Sequence, residues 1–90
     1  MTAPAYDIRF SSNYNVYRVR EEITCTAQGY PAPRVHWEQV RSNGAGVESS
    51  VRGPVLRITD DMVGNNTWRC RAVNTIGSAE RMIAFLVVGM

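Results

Sequence analysis

The stretch that decides the fold is "CTAQGYPAPRVHW", residues 25–37. It contains the first of two cysteines, two prolines separated by one residue, and the first of two tryptophans. Pro31 and Pro33 fix the backbone φ angle, which favours a rigid turn and disfavours the interior of a central strand. Apolar and polar residues alternate on both sides of this turn, a pattern typical of half-buried strands. The stretch therefore predicts two strands joined by a turn, with Cys25 on the first and Trp37 on the second.

The same alternation recurs along the rest of the chain in short runs separated by turn residues. We predict strands at residues 6–10, 15–19, 22–27, 34–40, 47–51, 54–58, 67–73 and 78–88. A loop is expected at residues 42–46, where Asn43-Gly44 is a strong turn signal. A helical period is not sustained anywhere beyond about one turn, and the best candidate, residues 60–66, is broken by Gly64. Short strands at this spacing predict an all-β sandwich.

Bulk composition narrows the class of protein. Ninety residues suit a single domain, and we expect residues 1–90 to be one unit excised from a larger multidomain protein. A net charge of +2 is too small to suggest nucleic-acid binding. All ten basic residues are arginine, which fits either a coding bias or a protein-contact surface.

The two cysteines and the tryptophan have the spacing that an immunoglobulin sandwich needs. Cys25 and Cys70 are 45 positions apart, and each is expected to point inward on its own strand. Trp37 follows the first cysteine by twelve positions, also pointing inward. In such a sandwich the two sulfurs bridge the sheets and the indole packs against the bridge. Closing a loop of this length stabilises the fold by about 4 kcal/mol in the chain-entropy treatment.

Four segments together resemble the I-set of the immunoglobulin superfamily. Residues 25–37 are similar to its B–C region, and "CRAVNTIG", residues 70–77, is similar to its F–G hairpin. "LRI" at 56–58 and "FLV" at 85–87 match strands E and G. The resemblance implies an immunoglobulin-like Greek-key β-sandwich with strands A and A′ through G. Its two antiparallel sheets are expected to be joined by the disulfide. The expected core includes four large side chains, those of Trp37, Trp68, Leu56 and Ile58.

The sequence departs from the family before the second cysteine. Where I-set domains usually carry Asp-x-Gly-x-Tyr-x-Cys, this chain reads "GNNTWRC", residues 64–70. Trp68 replaces the tyrosine whose hydroxyl normally bonds back to the chain, and we expect the indole N–H to substitute in part. In I-set domains the missing aspartate is the usual partner of an arginine. Arg52 is the candidate for that arginine here, and we expect it to pair with Asp60 or Asp61 instead.

The resemblance also implies a function. I-set domains commonly act as adhesion and recognition modules in tandem arrays on cell-surface proteins. We therefore expect a non-enzymatic protein-binding module from the ectodomain of a membrane-anchored adhesion molecule or receptor, without a cofactor or metal. An inter-sheet disulfide suits an oxidising, extracellular setting. The alternative is a structural spacer in a tandem array, either extracellular or intracellular and titin-like. The lone histidine, His36, and two paired cysteines offer no nucleophilic site.

The candidate binding surface is the outer face of the sheet formed by strands G, F and C, here called the G-F-C face. Alternation assigns to it Arg34, His36 and Glu38 from strand C, Arg69, Arg71 and Val73 from strand F, and Met82, Ala84 and Leu86 from strand G. Arginines beside apolar side chains are typical of protein contacts. The residues predicted to bind are Arg34, Arg69, Arg71, Met82 and Leu86. The partner is another protein, bound homophilically or heterophilically, or else an adjacent immunoglobulin or fibronectin-type domain that covers strand G. An anionic polysaccharide is a third possibility.

A glycosylation signal lies in the segment just before Cys70. Asn65, with Asn66 and Thr67, fits the N-glycosylation acceptor pattern. We expect it on a surface turn.

Overall fold

A computed structural model describes residues 1–41 and 46–89. Within this part of the chain nearly all regular structure is β-strand, as predicted. The strands are β1 Ala3–Phe10, β2 Val16–Arg18, β3 Glu22–Tyr30, β4 Arg34–Val40, β5 Val47–Arg52, β6 Val55–Arg57, β7 Gly64–Val73 and β8 Ser78–Val88. One short 3₁₀ turn, Asp60–Met62, precedes β7. The loop predicted at residues 42–46 lies outside the described residues except for Gly46.

The strands form two facing sheets. One has the order β1-β3-β6 and the other the order β2-β8-β7-β4-β5. In the strand nomenclature of the immunoglobulin fold these are strands A, B and E facing A′, G, F, C and C′. This arrangement, joined by the Cys25–Cys70 disulfide, confirms the predicted immunoglobulin-like sandwich.

Two details of the topology differ from expectation. The second sheet is mixed rather than antiparallel, because β2 runs parallel to β8. This happens because the chain leaves the first sheet after β1 and joins the edge of the second sheet in the same direction. A strand D is also absent from the described chain: only Gly53 and Pro54 separate β5 from β6. Consequently β6 forms an edge of its sheet.

The core lies between the sheets around the disulfide. Trp37 is fully buried and directly opposite Cys70 on the neighbouring strand. Phe10 stacks on the indole with ring centroids 5.4 Å apart. The indole N–H donates a 2.8 Å hydrogen bond to the carbonyl oxygen of Pro54, so its one polar atom is satisfied. Trp68, Leu56 and Ile58 are also buried.

Asn66 organises the end of the core where the tyrosine corner is missing. Its side chain is buried, and its amide nitrogen donates to the carbonyl oxygens of Met62 and Gly64 at 2.6 and 3.0 Å. The indole N–H of Trp68 donates to the amide oxygen of Asn66 at 3.4 Å. The substitution expected from Trp68 is therefore real but weak, because Asn66, rather than the indole, makes the bonds back to the chain.

The expected pairing of Arg52 with Asp60 or Asp61 is wrong. Arg52 lies on β5, opposite His36 of β4, and no ion pair joins it to either acid among the described residues. Asp61 instead accepts a hydrogen bond from the hydroxyl of Thr59. Without a strand D, the chain passes straight from the edge of one sheet to the other, so Arg52 remains on the G-F-C sheet.

Asn74 ties three segments together at the opposite end of the domain. Its amide nitrogen donates to the carbonyl oxygens of Ala3 and Pro31 at 2.8 and 2.9 Å. Its amide oxygen accepts from the backbone N–H groups of Ile76 and Gly77, both at 3.0 Å. The turn between β7 and β8 is thereby fixed against β1 and against the proline turn.

Candidate recognition face

The burial pattern of β7 alternates along its length and separates core from surface. Trp68, Cys70 and Ala72 are buried, whereas Arg69 and Arg71 point to the G-F-C face. On β8, Ile83, Phe85 and Val87 are likewise buried, and the residues between them are exposed. The sidedness predicted from the sequence therefore holds along both strands.

Cross-strand register places acids beside the arginines of this face. Arg69 lies opposite Glu38 of β4, and its Nε and Nη2 atoms donate to the Oε1 atom of Glu38 at 2.8 and 2.6 Å. His36 Nε2 lies 3.2 Å from Glu38 Oε2, and Glu80 approaches Arg69 Nε at 3.7 Å. These side chains form a charge network across the centre of the sheet.

The network changes the proton affinity of its central acid. Burial raises the pKa of the Glu38 carboxyl, but hydrogen bonds from Arg69 and His36 and their charges together lower that pKa below its ordinary value. The hydrogen bond to Glu38 also raises the pKa of Arg69. The Arg69 side chain is only 23% exposed, so much of its bonding capacity is used within the sheet. Among the predicted binding residues, Arg69 is therefore the one most committed to holding β4 against β7.

The other predicted binding residues lie around this network. Arg34 is exposed at the start of β4, opposite Val73, and Arg71 is half-buried between His36 and Glu80. Met82 and Leu86 are exposed on β8 at 53% and 39%. The face thus has an arginine-rich end and an apolar strip along β8.

Val16 extends the apolar strip, and the sequence did not identify it. It is 49% exposed on β2, and the parallel pairing of β2 with β8 places it beside Leu86. The signal available in the sequence was the alternation of residues 15–19, with Tyr17 buried and Val16 facing out. What could not be predicted was the strand next to which β2 would lie.

The glycosylation signal lies on this same face, not on a turn as expected. Asn65 is the second residue of β7 and pairs with Leu86 of β8. The strand begins at Gly64, whose φ of +114° suits glycine, so that "GNN" starts a strand although its composition suggests a turn. Asn65 is exposed, and its neighbour Asn66 is buried.

Two features are absent from the part of the chain that the structure describes. Residues 1–41 and 46–89 contain no cluster of three or more histidine, cysteine or acidic side chains placed to hold a metal. No helix in these ranges is long and apolar enough to cross a membrane.

Comparison with known proteins supports the same fold. No family model matches the chain. Over 65 residues, 72% of its length, the chain is 25% identical to human vascular cell adhesion protein 1, of which it spans only 9%. In a solved complex of Dpr11 IG1 with DIP-gamma IG+IG2, one chain superposes with a TM-score of 0.66 at 24% identity. That match covers 96% of this chain and 48% of the other.

Two further structures show how widely this fold is shared. Sidekick-1 immunoglobulin domains 1–5 superpose with a TM-score of 0.64 at 18% identity, covering 100% of this chain and 21% of that chain. A chain of the titin M10–obscurin-like 1 Ig complex gives 0.61 at 22% identity, covering 98% and 97%. Identities this low establish the fold alone. The chain has an immunoglobulin-type fold, and its binding role has to be argued from its own surface.

Proposed function

We propose that this domain is a non-enzymatic protein-recognition module whose G-F-C face binds another immunoglobulin-type domain. The observation that carries the proposal is the apolar strip of Val16, Leu86 and Met82 beside a row of arginines. Contact cores are commonly enriched in arginine and methionine and surrounded by polar groups. Arg34 and Arg71 supply positive charge at one end, while Glu80 lies beside Arg71 and Glu38 lies beside Arg69.

The choice of partner class rests on this mixed surface and on the comparisons. A face that carries both arginines and acids can match a partner face with the opposite arrangement. Two of the similar structures are complexes in which immunoglobulin domains are bound to other immunoglobulin-domain proteins. We further propose that the domain belongs to the extracellular part of a membrane-anchored adhesion molecule or receptor. The disulfide supports this, because such bonds persist in oxidising compartments.

A structural spacer is the second candidate. It is favoured by the similarity to the titin complex and by the exposed apolar side chains on the edge strand β2 and its neighbour β8. In that role a neighbouring domain of the same chain covers the strip. Intact mass of the native protein with and without reductant separates the extracellular recognition module from an intracellular spacer, because a reduced, unglycosylated domain would favour the intracellular spacer.

The test of the recognition face uses two matched double variants. Arg71→Glu with Leu86→Asp alters both ends of the G-F-C face. Arg57→Glu with Tyr6→Asp makes the same kinds of change at exposed positions of the opposite sheet. Each protein is measured by sedimentation over a concentration series and by binding to an array of immunoglobulin ectodomains.

All of these proteins are produced without glycosylation, and we expect the wild type to bind itself or an arrayed immunoglobulin domain. The first double variant should lose that binding while its midpoint of thermal unfolding stays close to that of the wild type, because both side chains point away from the core. The second variant should bind normally. Equal binding by both double variants would contradict the proposed face.

A further inference from the structure

We propose that Asn65 carries an N-linked glycan that lies over the Leu86 end of the G-F-C face and closes the apolar strip to protein contact. The effect on binding rests on the proposed function, whereas the position of the glycan does not. Two adjacent asparagines precede Thr67, and only Asn65 has the spacing of an acceptor. Asn65 is the exposed member of the pair, and Asn66 is the buried one. The acceptor side chain is therefore on the surface.

Strand register fixes where a sugar would leave the protein. Asn65 lies directly opposite Leu86. The backbone N–H of Leu86 donates a 2.9 Å hydrogen bond to the carbonyl oxygen of Asn15, the residue just before β2. The backbone polar groups of Leu86 therefore point toward β2 and away from β7. A pair of this type is not hydrogen-bonded, so its Cα atoms are about 4.5 Å apart and its side chains lie especially close.

The first sugar would consequently start beside the Leu86 side chain. Val16 lies next to Leu86 on the far side, exposed on the same face. An N-linked glycan is bulky and hydrophilic, so it would shield this apolar pair from a protein partner. Arg71 is six residues further along β7, about 20 Å away at the usual rise of a strand. The arginine-rich end would remain open while the strip is closed.

The leucine content of the chain permits a direct measurement. There are two leucines: Leu86 is 39% exposed, whereas Leu56 is 1% exposed. The domain is secreted from eukaryotic cells with ¹³C-methyl leucine, and its mass reports whether sugar is attached. A soluble paramagnetic agent then enhances relaxation of methyl groups that solvent reaches. The unglycosylated comparison is Asn65→Gln from the same cells.

We expect the secreted wild type to carry the glycan and the Leu86 methyl groups to lose most of the enhancement seen in Asn65→Gln. Leu56 should show little enhancement in either protein. A control glycan is provided by Arg9→Asn in the Asn65→Gln background, which completes an acceptor pattern with Phe10 and Ser11 on the opposite sheet. That variant should leave Leu86 fully enhanced. A wild type without attached sugar, or equal enhancement of Leu86 with and without the glycan, would overturn the inference.

Sedimentation and array binding of the same proteins keep the two proposals distinguishable. If Asn65→Gln binds and the glycosylated wild type does not, both are supported. If Leu86 is shielded but neither form binds anything, the inference about the glycan holds and the proposed recognition role fails. If both forms bind equally and Leu86 is exposed in both, the inference fails while the recognition role is retained.

Discussion

Trp37 on β4 lies directly opposite Cys70 on β7. The indole and the disulfide therefore lie side by side on the inner face of this sheet, from which the disulfide crosses to Cys25 of the other sheet. The indole is held in place by its hydrogen bond to the Pro54 carbonyl, next to the short crossing from β5 to β6. This relationship joins both sheets at the centre of the domain. The sidedness of the G-F-C face follows from it, because residues that flank Cys70 on β7 must point outward.

Replacing Trp37 by Phe tests the importance of the indole hydrogen bond. The change keeps an aromatic ring but removes the indole N–H, whereas the Pro54 carbonyl keeps its hydrogen bond from the backbone N–H of Cys25. Loss of this hydrogen bond, together with the packing that the larger ring provides in the core, should lower the free energy of unfolding by about 1–3 kcal/mol. Trp68→Phe is the matched control, because its indole bond to Asn66 is longer, 3.4 Å against 2.8 Å. Denaturant unfolding should rank Trp37→Phe as the more damaging change, and the reverse order would contradict this account.

Adjacent asparagines give a second matched pair. Asn66→Ala removes two bonds to backbone carbonyls in a buried site, and we expect a loss of about 2–4 kcal/mol. Asn65→Ala alters an exposed side chain and should change the free energy of unfolding by no more than about 0.5 kcal/mol in unglycosylated protein. Both values come from denaturant unfolding. Similar losses for the two variants would mean that Asn66 does not replace the tyrosine corner.

The sequence predicted the sandwich because its strongest signals are local and periodic. Cys25, Trp37 and Cys70 each stand in an alternating run, and alternation assigns their side chains to one side of a strand. The same rule placed Met82 and Leu86 outside and Phe85 inside. Spacing between these residues then predicted the disulfide that joins the sheets.

What the sequence did not predict depends on long-range pairing. Asn66 stands where the I-set pattern has a glycine, so the sequence showed only that the glycine is missing. Its role as a buried hydrogen-bond donor depends on the folded chain, which brings the Met62 carbonyl beside it. Val16 joins the apolar strip because β2 pairs in parallel with β8, which no local pattern specifies. Arg52 was assigned to the wrong surroundings because the expected strand D is absent from the described chain.

Acid should weaken the domain partly through Glu38. The pKa of this carboxyl is lower in the folded protein than its ordinary value, so its ionised form stabilises the fold. That contribution is fully present above the pKa of the unfolded chain, about 4.3, and is lost as the pH falls toward the lower folded value. The Glu38→Gln variant has no carboxylate at this position, so it loses no such contribution as the pH falls. The gap in unfolding free energy between wild type and Glu38→Gln should therefore narrow below about pH 4.

Glu22→Gln provides the control for this pH series. Glu22 pairs with Arg57 at 2.9 Å on an exposed surface, where ion pairs contribute little because water screens them. Its stability should remain close to that of the wild type at each pH. A gap for Glu38→Gln that stays constant from pH 7 to pH 3 would contradict a role for the Glu38 charge.

Asn74→Ala should loosen the start of β1 without unfolding the domain. The change removes the bonds to Ala3 and Pro31 together with those that close the turn before β8. We expect a loss of about 1–3 kcal/mol in the free energy of unfolding. Hydrogen exchange should accelerate most in β1 and in the turn at Ile76. Acceleration confined to β4 and β5 would contradict the proposed clamp.

The most direct test of the recognition face is a residue-by-residue map of the contact. Amide chemical shifts of the unglycosylated domain are followed while it binds its immunoglobulin partner, or at rising concentration if it binds itself. We predict that the largest changes fall on β4, β7 and β8, around Arg71, Met82 and Leu86. Changes concentrated on β1, β3 and β6, with those three residues unaffected, would contradict the account.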